Sequence, residues 1–184
     1  MFGQAVSAIV LPSSARAAAT VVFTPVADAS VYSKDDEDNF GSDPELTADR
    51  SPKAKSFLRF DLSGLTQTPL GATLRLFVTN GSYNGPEVRP VRSAWDEGTV
   101  TYDTRASVGS VVADVRKVSA GNWVEYDVSE LVTGNGPVEV ALAGDSSDGT
   151  DFVSREGAES QRPQLVLEVE GDVEPPPPPP PPPP

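Results

Sequence analysis

Arginine and aromatic side chains are the groups in this sequence best suited to recognise a ligand. A forked guanidinium group binds a carboxylate through paired hydrogen bonds, and an aromatic ring can stack on the C–H face of a sugar. The alternative for the arginines is cross-strand pairing with acidic residues, and the alternative for the tryptophan is burial as a structural plug. The candidate ligand-binding residues are Arg59, Arg75, Tyr83, Arg89, Arg92 and Trp95.

Acidic residues near the start of the chain offer a second kind of chemistry. The run Asp35-Asp36-Glu37-Asp38 follows Asp28 by a few residues. Carboxylate oxygens are the ligands that Ca²⁺ prefers, so we take Asp28, Asp36 and Asp38 as candidate ligands of a structural calcium ion. The spacing does not match an EF-hand loop, and a solvated acidic loop is the alternative interpretation.

The composition excludes several classes of function. The 184 residues include no His and no Cys, which removes Ser-His-Asp and Cys-His nucleophile systems and zinc sites built on these ligands. We therefore expect no enzyme. A net charge of −13 makes nucleic acid a poor partner. No apolar run approaches the ~18 residues that a membrane span needs, so we expect no membrane insertion.

The two ends of the chain differ from its body. Residues 1–19 contain an apolar stretch, Ala5–Leu11, followed by small residues, which predicts a signal-peptide remnant or a disordered leader. This favours a secreted or cell-surface protein. Residues 171–184 end in an uninterrupted proline run, Pro175–Pro184, which forms a stiff polyproline II rod. We expect this proline-rich linker to join the domain to a covalently linked catalytic or surface module.

The elements that must position these side chains are strands. Between residues 20 and 170 the apolar residues recur at every second position, as in Ser56–Leu62, where Leu58 and Phe60 face one way and Arg59 the other. The other segments with strand-like patterns are Val21–Pro25, Ala29–Ser33, Ala72–Thr79, Val88–Val91, Thr99–Asp103, Ser110–Val115, Trp123–Val128, Pro137–Leu142, Asp151–Ser154 and Gln164–Val169. Only Ser129–Val132 indicates a helical turn.

Around ten short strands, each with one apolar face, predict an all-β domain: a two-sheet antiparallel β-sandwich of jelly-roll type. We expect a monomer. If the strands that carry Arg59 and Arg75 were neighbours, these two side chains would lie on one exposed face.

Several segments together resemble the DNRLRE domain family, which overlaps carbohydrate-binding module family ninety-six. Ser56-Phe57-Leu58-Arg59-Phe60-Asp61-Leu62 is similar to its "R-x-L-x-F-D-L" strand. Ser93–Tyr102 is similar to its "W-x-E-x-x-x-T-W" signature, with Tyr102 where the family usually has Trp. Residues 152–165 resemble its closing "S-R-E … R-P-x-L". The resemblance covers about residues 26–169.

The resemblance implies a β-sandwich accessory module, and some members of the family bind acidic polysaccharides such as alginate. The sequence therefore predicts a non-catalytic carbohydrate-binding module of a secreted multi-domain protein, which targets an attached enzyme to a polysaccharide. A structural or adhesive spacer without specific glycan binding is the main alternative. A lyase that uses Tyr with Arg or Lys is the remaining enzymatic one.

Overall fold

The computed structural model describes residues 18–171, which form eleven strands and two short 3-10 helices. All but the last two residues of the predicted leader, and all but the first residue of the predicted linker, lie outside this part of the chain. The strands are β1 Ala18–Phe23, β2 Ala27–Tyr32, β3 Asp35–Phe40, β4 Glu45–Arg50, β5 Lys53–Asp61, β6 Pro69–Asn80, β7 Glu87–Pro90, β8 Trp123–Asp127, β9 Pro137–Ala143, β10 Thr150–Val153 and β11 Gln164–Glu170. The 3-10 helices are Ser129–Leu131, at the predicted helical turn, and Glu159–Gln161.

The strands pair antiparallel throughout, in the order β1-β11-β6-β10-β4-β5-β2-β3. Strand β8 adds to β6, β9 adds to β5, and β7 adds to β9. The prediction of an antiparallel all-β domain is confirmed. The two expected layers are joined by hydrogen bonds through β4 and β10, so the described strands form one continuous sheet. The first strand begins where the last one ends, because Ala18 pairs with Glu170.

The sheet folds over on itself around one main core. Leu58 and Phe60 of β5 pack in the same hydrophobic cluster as Leu74 and Leu76 of β6, although β5 and β6 do not pair. These four side chains are fully buried. Strands β1, β11, β6 and β8 therefore form one layer, and β3, β2, β5, β9 and β7 form the layer that faces it. The alternation predicted for Ser56–Leu62 is confirmed.

A long connection between β7 and β8 replaces two predicted strands. Thr99–Asp103 and Ser110–Val115 are not strands. An isolated bridge between Val88 of β7 and Ala113, together with single backbone hydrogen bonds, joins the connection to the sheet. Residues 91–108, which we call the covering loop, pack instead on the outer face of β2, β5 and β9. Side chains of the loop and of these strands share a second core cluster: Ala27, Ala29, Val31, Phe57, Trp95, Val100, Ala106 and Ala141.

The acidic run that was interpreted as a loop is strand β3. Asp35 to Asn39 are exposed, and the strand pairs only with β2, at the edge of the sheet. Charged side chains on an edge strand oppose pairing with another chain, which is consistent with five polar residues in a row. Strand β4 is not predicted from the sequence either. Only two of its side chains, Leu46 and Ala48, are buried, which is too short an alternation to indicate a strand.

Neither of the two helices among the described residues is long enough to cross a membrane, since each has three residues.

The turn between β3 and β4 depends on a glycine that touches the covering loop. A Cβ atom on Gly41 would lie 2.1 Å from the carbonyl oxygen of Glu97. Asn39 Nδ2 donates to the same carbonyl and to that of Val100, both at 2.8 Å.

We expect Gly41→Ala to destabilise the domain by about 1–3 kcal/mol through overpacking, as measured by urea unfolding. The control is Gly64→Ala, where no atom lies within 4 Å of the added methyl group; equal unfolding midpoints for the two variants would contradict the prediction.

Candidate functional site

Four cationic side chains converge where β4 turns into β5. Arg50 ends β4, Lys53 and Lys55 begin β5, and Arg105 reaches them from the covering loop. They line two adjoining clefts of about 350 and 210 Å³, and Lys55 and Arg105 line both. We call this surface the basic shelf.

The positive charge of the basic shelf is not neutralised by ion pairs. Within residues 18–171, none of the ion pairs involves Arg50, Lys53, Lys55 or Arg105. Burial is the largest cause that lowers the pKa of the Lys55 ammonium group, and the positive charges of Arg105, Arg89 and Lys53 lower it further. Such mutual repulsion is relieved when an anion binds between the cations.

An aromatic ring forms one wall of the smaller cleft. The guanidinium carbon of Arg105 lies 3.8 Å from the centroid of the Tyr102 ring, a cation–π contact, and Arg105 also donates to the Tyr102 carbonyl oxygen. The contact holds the guanidinium group in place beside an apolar surface. The shelf therefore combines charge with a ring, and its acidic lining residues are Asp49 and Asp103.

The strands that carry Arg59 and Arg75 are not neighbours, so the condition for a shared exposed face is not met. Their strands lie in different layers, and each arginine points outward from its own layer. Each also has a cross-strand acidic partner. Arg59 pairs with Glu139, and Arg75 Nε lies 2.8 Å from Glu125 Oε1. This is the pairing weighed above as the alternative for these arginines, and their role in ligand binding stays a prediction.

The other predicted ligand-binding residues lie at separate places. Arg89 Nη2 and Nε both donate to Glu87 Oε2, at 2.6 and 2.9 Å. Arg92 is exposed and lines, with Arg59, a cleft of about 620 Å³. Tyr83 is 82% exposed and lines a fourth cleft, of about 270 Å³. The structure does not bring these residues together in one site, and no observation tests their binding roles.

Trp95 is buried between the covering loop and the sheet, with 7% of its surface exposed. Its ring centroid lies 5.7 Å from that of Phe57, and the guanidinium carbon of Arg59 lies 4.8 Å from it. Arg59 Nη2 also donates to the Trp95 carbonyl oxygen at 2.8 Å. Trp95 is thus buried on the outer face of a layer and does not close an end of the sandwich. Its role in ligand binding stays a prediction.

Three carboxylates form a cluster that could hold a metal ion. Asp28 is buried, and one oxygen each from Asp28, Glu97 and Glu156 lie within 4.8 Å of one another. Asp36 and Asp38 are exposed on β3 and are not part of this carboxylate cluster. Of the three predicted ligands, the structure therefore places only Asp28 there. Sequence reasoning missed the other two because they come from segments far apart along the chain.

One arginine is built into the carboxylate cluster. Arg155 Nη2 lies 2.8 Å from Glu97 Oε2 and 2.8 Å from Glu156 Oε1, and its backbone N–H donates to Asp28 Oδ2 at 2.8 Å. The N–H of Asp28 donates to Glu97 Oε1 at 2.7 Å. Three carboxylates and one guanidinium group leave two negative charges uncompensated. One proton would reduce this excess to one, and a divalent cation would neutralise it. All three acidic side chains offer the oxygen donors that calcium takes, although a metal would compete with Arg155.

Burial raises the pKa of the Asp28 carboxyl group. The backbone N–H of Arg155 opposes this, and the charges of Glu156 and Glu97 add to it, for a pKa of about 7. At neutral pH, Asp28 is therefore a carboxyl group close to its titration midpoint inside the domain, beside two further carboxylates.

The antiparallel β domain and its cationic clefts define a small binding module with a surface suited to an anionic ligand. The family model described as Carbohydrate-binding module family 96 matches residues 19–169, and the chain belongs to this family. The family identified from the sequence is thereby confirmed, and its members indicate a carbohydrate as the ligand. No curated protein sequence matches this chain.

The raised pKa of Asp28 predicts a pH-dependent stability. The folded domain binds this proton more tightly than the unfolded chain does, so the free energy of unfolding should fall as pH rises from about 4 to about 7 and then level off. Asp28→Asn keeps an acceptor for the Arg155 N–H and removes the titration. We expect the wild-type domain to lose roughly 1–3 kcal/mol more than this variant between pH 5 and 8, in urea unfolding with a chelator present.

Asp38→Asn, on the exposed strand β3, is the control for this measurement and should follow the wild-type profile. Parallel profiles for the wild-type protein and Asp28→Asn would show that Asp28 does not titrate in this range.

Proposed function

We propose that this chain is a non-catalytic carbohydrate-binding module that binds an acidic, alginate-like polysaccharide at the basic shelf. The observation that carries the proposal is a group of four cations that form no ion pair with any described residue, in a chain with a net charge of −13. Acidic residues are abundant enough to neutralise these cations, as they do for Arg59, Arg75 and Arg89. The cations of the basic shelf are therefore available to the carboxylates of a uronate polymer, which would neutralise them.

The arrangement of the clefts supports a chain-like ligand. Because Lys55 and Arg105 line both clefts, a polymer that crosses from one cleft to the other passes these two cations. Arg50 and Lys53 then flank the smaller cleft, and Arg105 offers a planar group that can form paired bonds with a carboxylate. Tyr102 supplies an apolar surface for the C–H side of a sugar ring.

We further propose that the module is secreted or held at the cell surface, acts as a monomer, and targets an attached enzyme to the polysaccharide. The support comes from the sequence: the apolar and small residues of the leader, and the proline run after the last strand. A binding module on a stiff spacer raises the local concentration of its partner near the polymer.

Calcium is the ion that we propose for the carboxylate cluster, as a structural ion. Its three side chains come from β2, the covering loop and the segment after β10. An ion there would tie these segments together without taking part in ligand binding.

Neutralising the basic shelf should weaken binding to alginate. We expect Lys55→Ala and Arg105→Ala each to lower the affinity about three- to tenfold in affinity gel electrophoresis, because each removes a charge shared by both clefts. Retardation of the wild-type protein should also decrease with added NaCl, since exposed charges are screened.

Arg116→Ala is the matched control, because it removes the same charge from an exposed residue that lines neither cleft. If no acidic polymer retards the wild-type protein, the structural spacer becomes the better account. If the control loses as much affinity as the shelf variants, binding depends on net charge and not on this site.

Calcium should raise the melting temperature of the wild-type domain relative to a chelator, because a ligand that binds only the folded state stabilises it. Glu97→Gln should abolish this shift. Asp36→Asn, which alters a predicted ligand that lies outside the carboxylate cluster, should leave the shift intact. Identical melting curves with calcium and with chelator would rule out the ion.

A further inference from the structure

The two layers of the domain differ in what lies on their outer faces. The apolar outward side chains of β2, β5 and β9, such as Ala29, Phe57 and Ala141, are buried under the covering loop. Outward side chains of β6, β8 and β11, in contrast, are partly exposed along their length, and neither core cluster includes Phe77 or Trp123. The outer face of this second layer is thus open in the described structure.

Two aromatic rings lie side by side on this open face. Phe77 of β6 pairs directly with Trp123 of β8, with ring centroids 5.5 Å apart and the rings nearly perpendicular. The guanidinium carbon of Arg75 lies 4.8 Å from the centroid of the Trp123 ring. An edge-to-face pair with a cation beside it is an ordered surface, because each contact restricts the rotamer of its neighbour.

A row of polar groups crosses the sheet beside the rings. Arg75 stands between Gln164 of β11 and Glu125 of β8, and it donates to each at 2.8 Å. These two bonds use Nε and Nη1 of Arg75. They leave Arg75 Nη2 and Gln164 Nε2 as donors, and Glu125 Oε2 as an acceptor, without a partner among the described residues. Donors and an acceptor in one row match the hydroxyl groups of a sugar.

The charge of this face differs from that of the basic shelf. Its outward residues include one cation, Arg75, and three carboxylates, Glu125, Asp127 and Glu168. A polymer of uronates would be repelled here, whereas an uncharged polysaccharide would not.

We propose that Phe77, Trp123 and the row Gln164-Arg75-Glu125, together the aromatic face, form a second binding surface for uncharged pyranose polymers. A sugar ring packs against one of these two aromatic rings, which stand nearly perpendicular to each other, and its hydroxyl groups bond to the polar row. The inference rests on the proposed function only in taking a carbohydrate as ligand. Because the aromatic face and the basic shelf belong to opposite layers, one module can hold an acidic and a neutral chain at once.

The test uses the full chain in affinity gels that contain β-glucan, xylan or mannan, with an alginate gel run in parallel. We expect at least one neutral polymer to retard the wild-type protein, and Trp123→Ala to lower that affinity roughly tenfold. Lys55→Ala is the reciprocal control: it should lose affinity for alginate and keep its affinity for the neutral polymer. Gln164→Ala, which removes a polar group and no core contact, provides a second variant.

A measurement on the wild-type protein avoids any effect of substitution on folding. The chain has two tryptophans, and Trp95 is buried, so quenching of fluorescence by acrylamide reports mainly on Trp123. The retarding polymer should protect Trp123 from quenching, and alginate should not. The proposal is overturned if none of the three neutral polymers retards the wild-type protein, or if Trp123 and Gln164 variants bind like wild type. Either result leaves alginate binding at the basic shelf to be judged by its own gel.

Discussion

The packing of the covering loop on the sheet is the contact on which the rest of the molecule depends. Small outward side chains, such as Ala29 and Ala141, leave room for Trp95 and Val100 to bury themselves against the strands. The same loop then delivers Glu97 to the carboxylate cluster and Arg105 to the basic shelf. A hydrophobic contact thus fixes the positions of charged groups that could not be held by charge alone in water.

The distribution of charge is more informative than its total. Some of the excess acidic residues lie along β3, where they oppose pairing of this sheet edge with another chain. Others form the carboxylate cluster around Arg155. Against this background, the basic shelf is an exception, because its cations form no ion pair in the part of the chain that the structure describes. The open sheet face with two aromatic rings is another. These two surfaces are the candidate ligand-binding sites. They differ in the sign of their charge, in their shape and in the layer to which they belong.

The sequence carried enough information to predict the class of fold and the family, because alternation of apolar residues is a local signal. It could not predict that Glu97 and Glu156 meet Asp28, since nothing in the spacing indicates which distant loops pack together. The strand predicted at Thr99–Asp103 failed for a related reason. Val100 is buried against the sheet and Tyr102 packs on the same cluster, so two apolar residues at a strand-like interval arise here without a strand.

Pairing of the strands at the two ends of the described domain has a mechanical consequence. Ala18 lies opposite Glu170, so β1 and β11 run antiparallel with their terminal residues at the same end. A force that pulls the two ends of the domain apart therefore loads the hydrogen bonds between these strands one after another and not all together. Under such a load β1 would peel away from β11 at low force. The rest of the sheet, with the basic shelf and the aromatic face, would stay folded while the distance between the two ends of the domain increased.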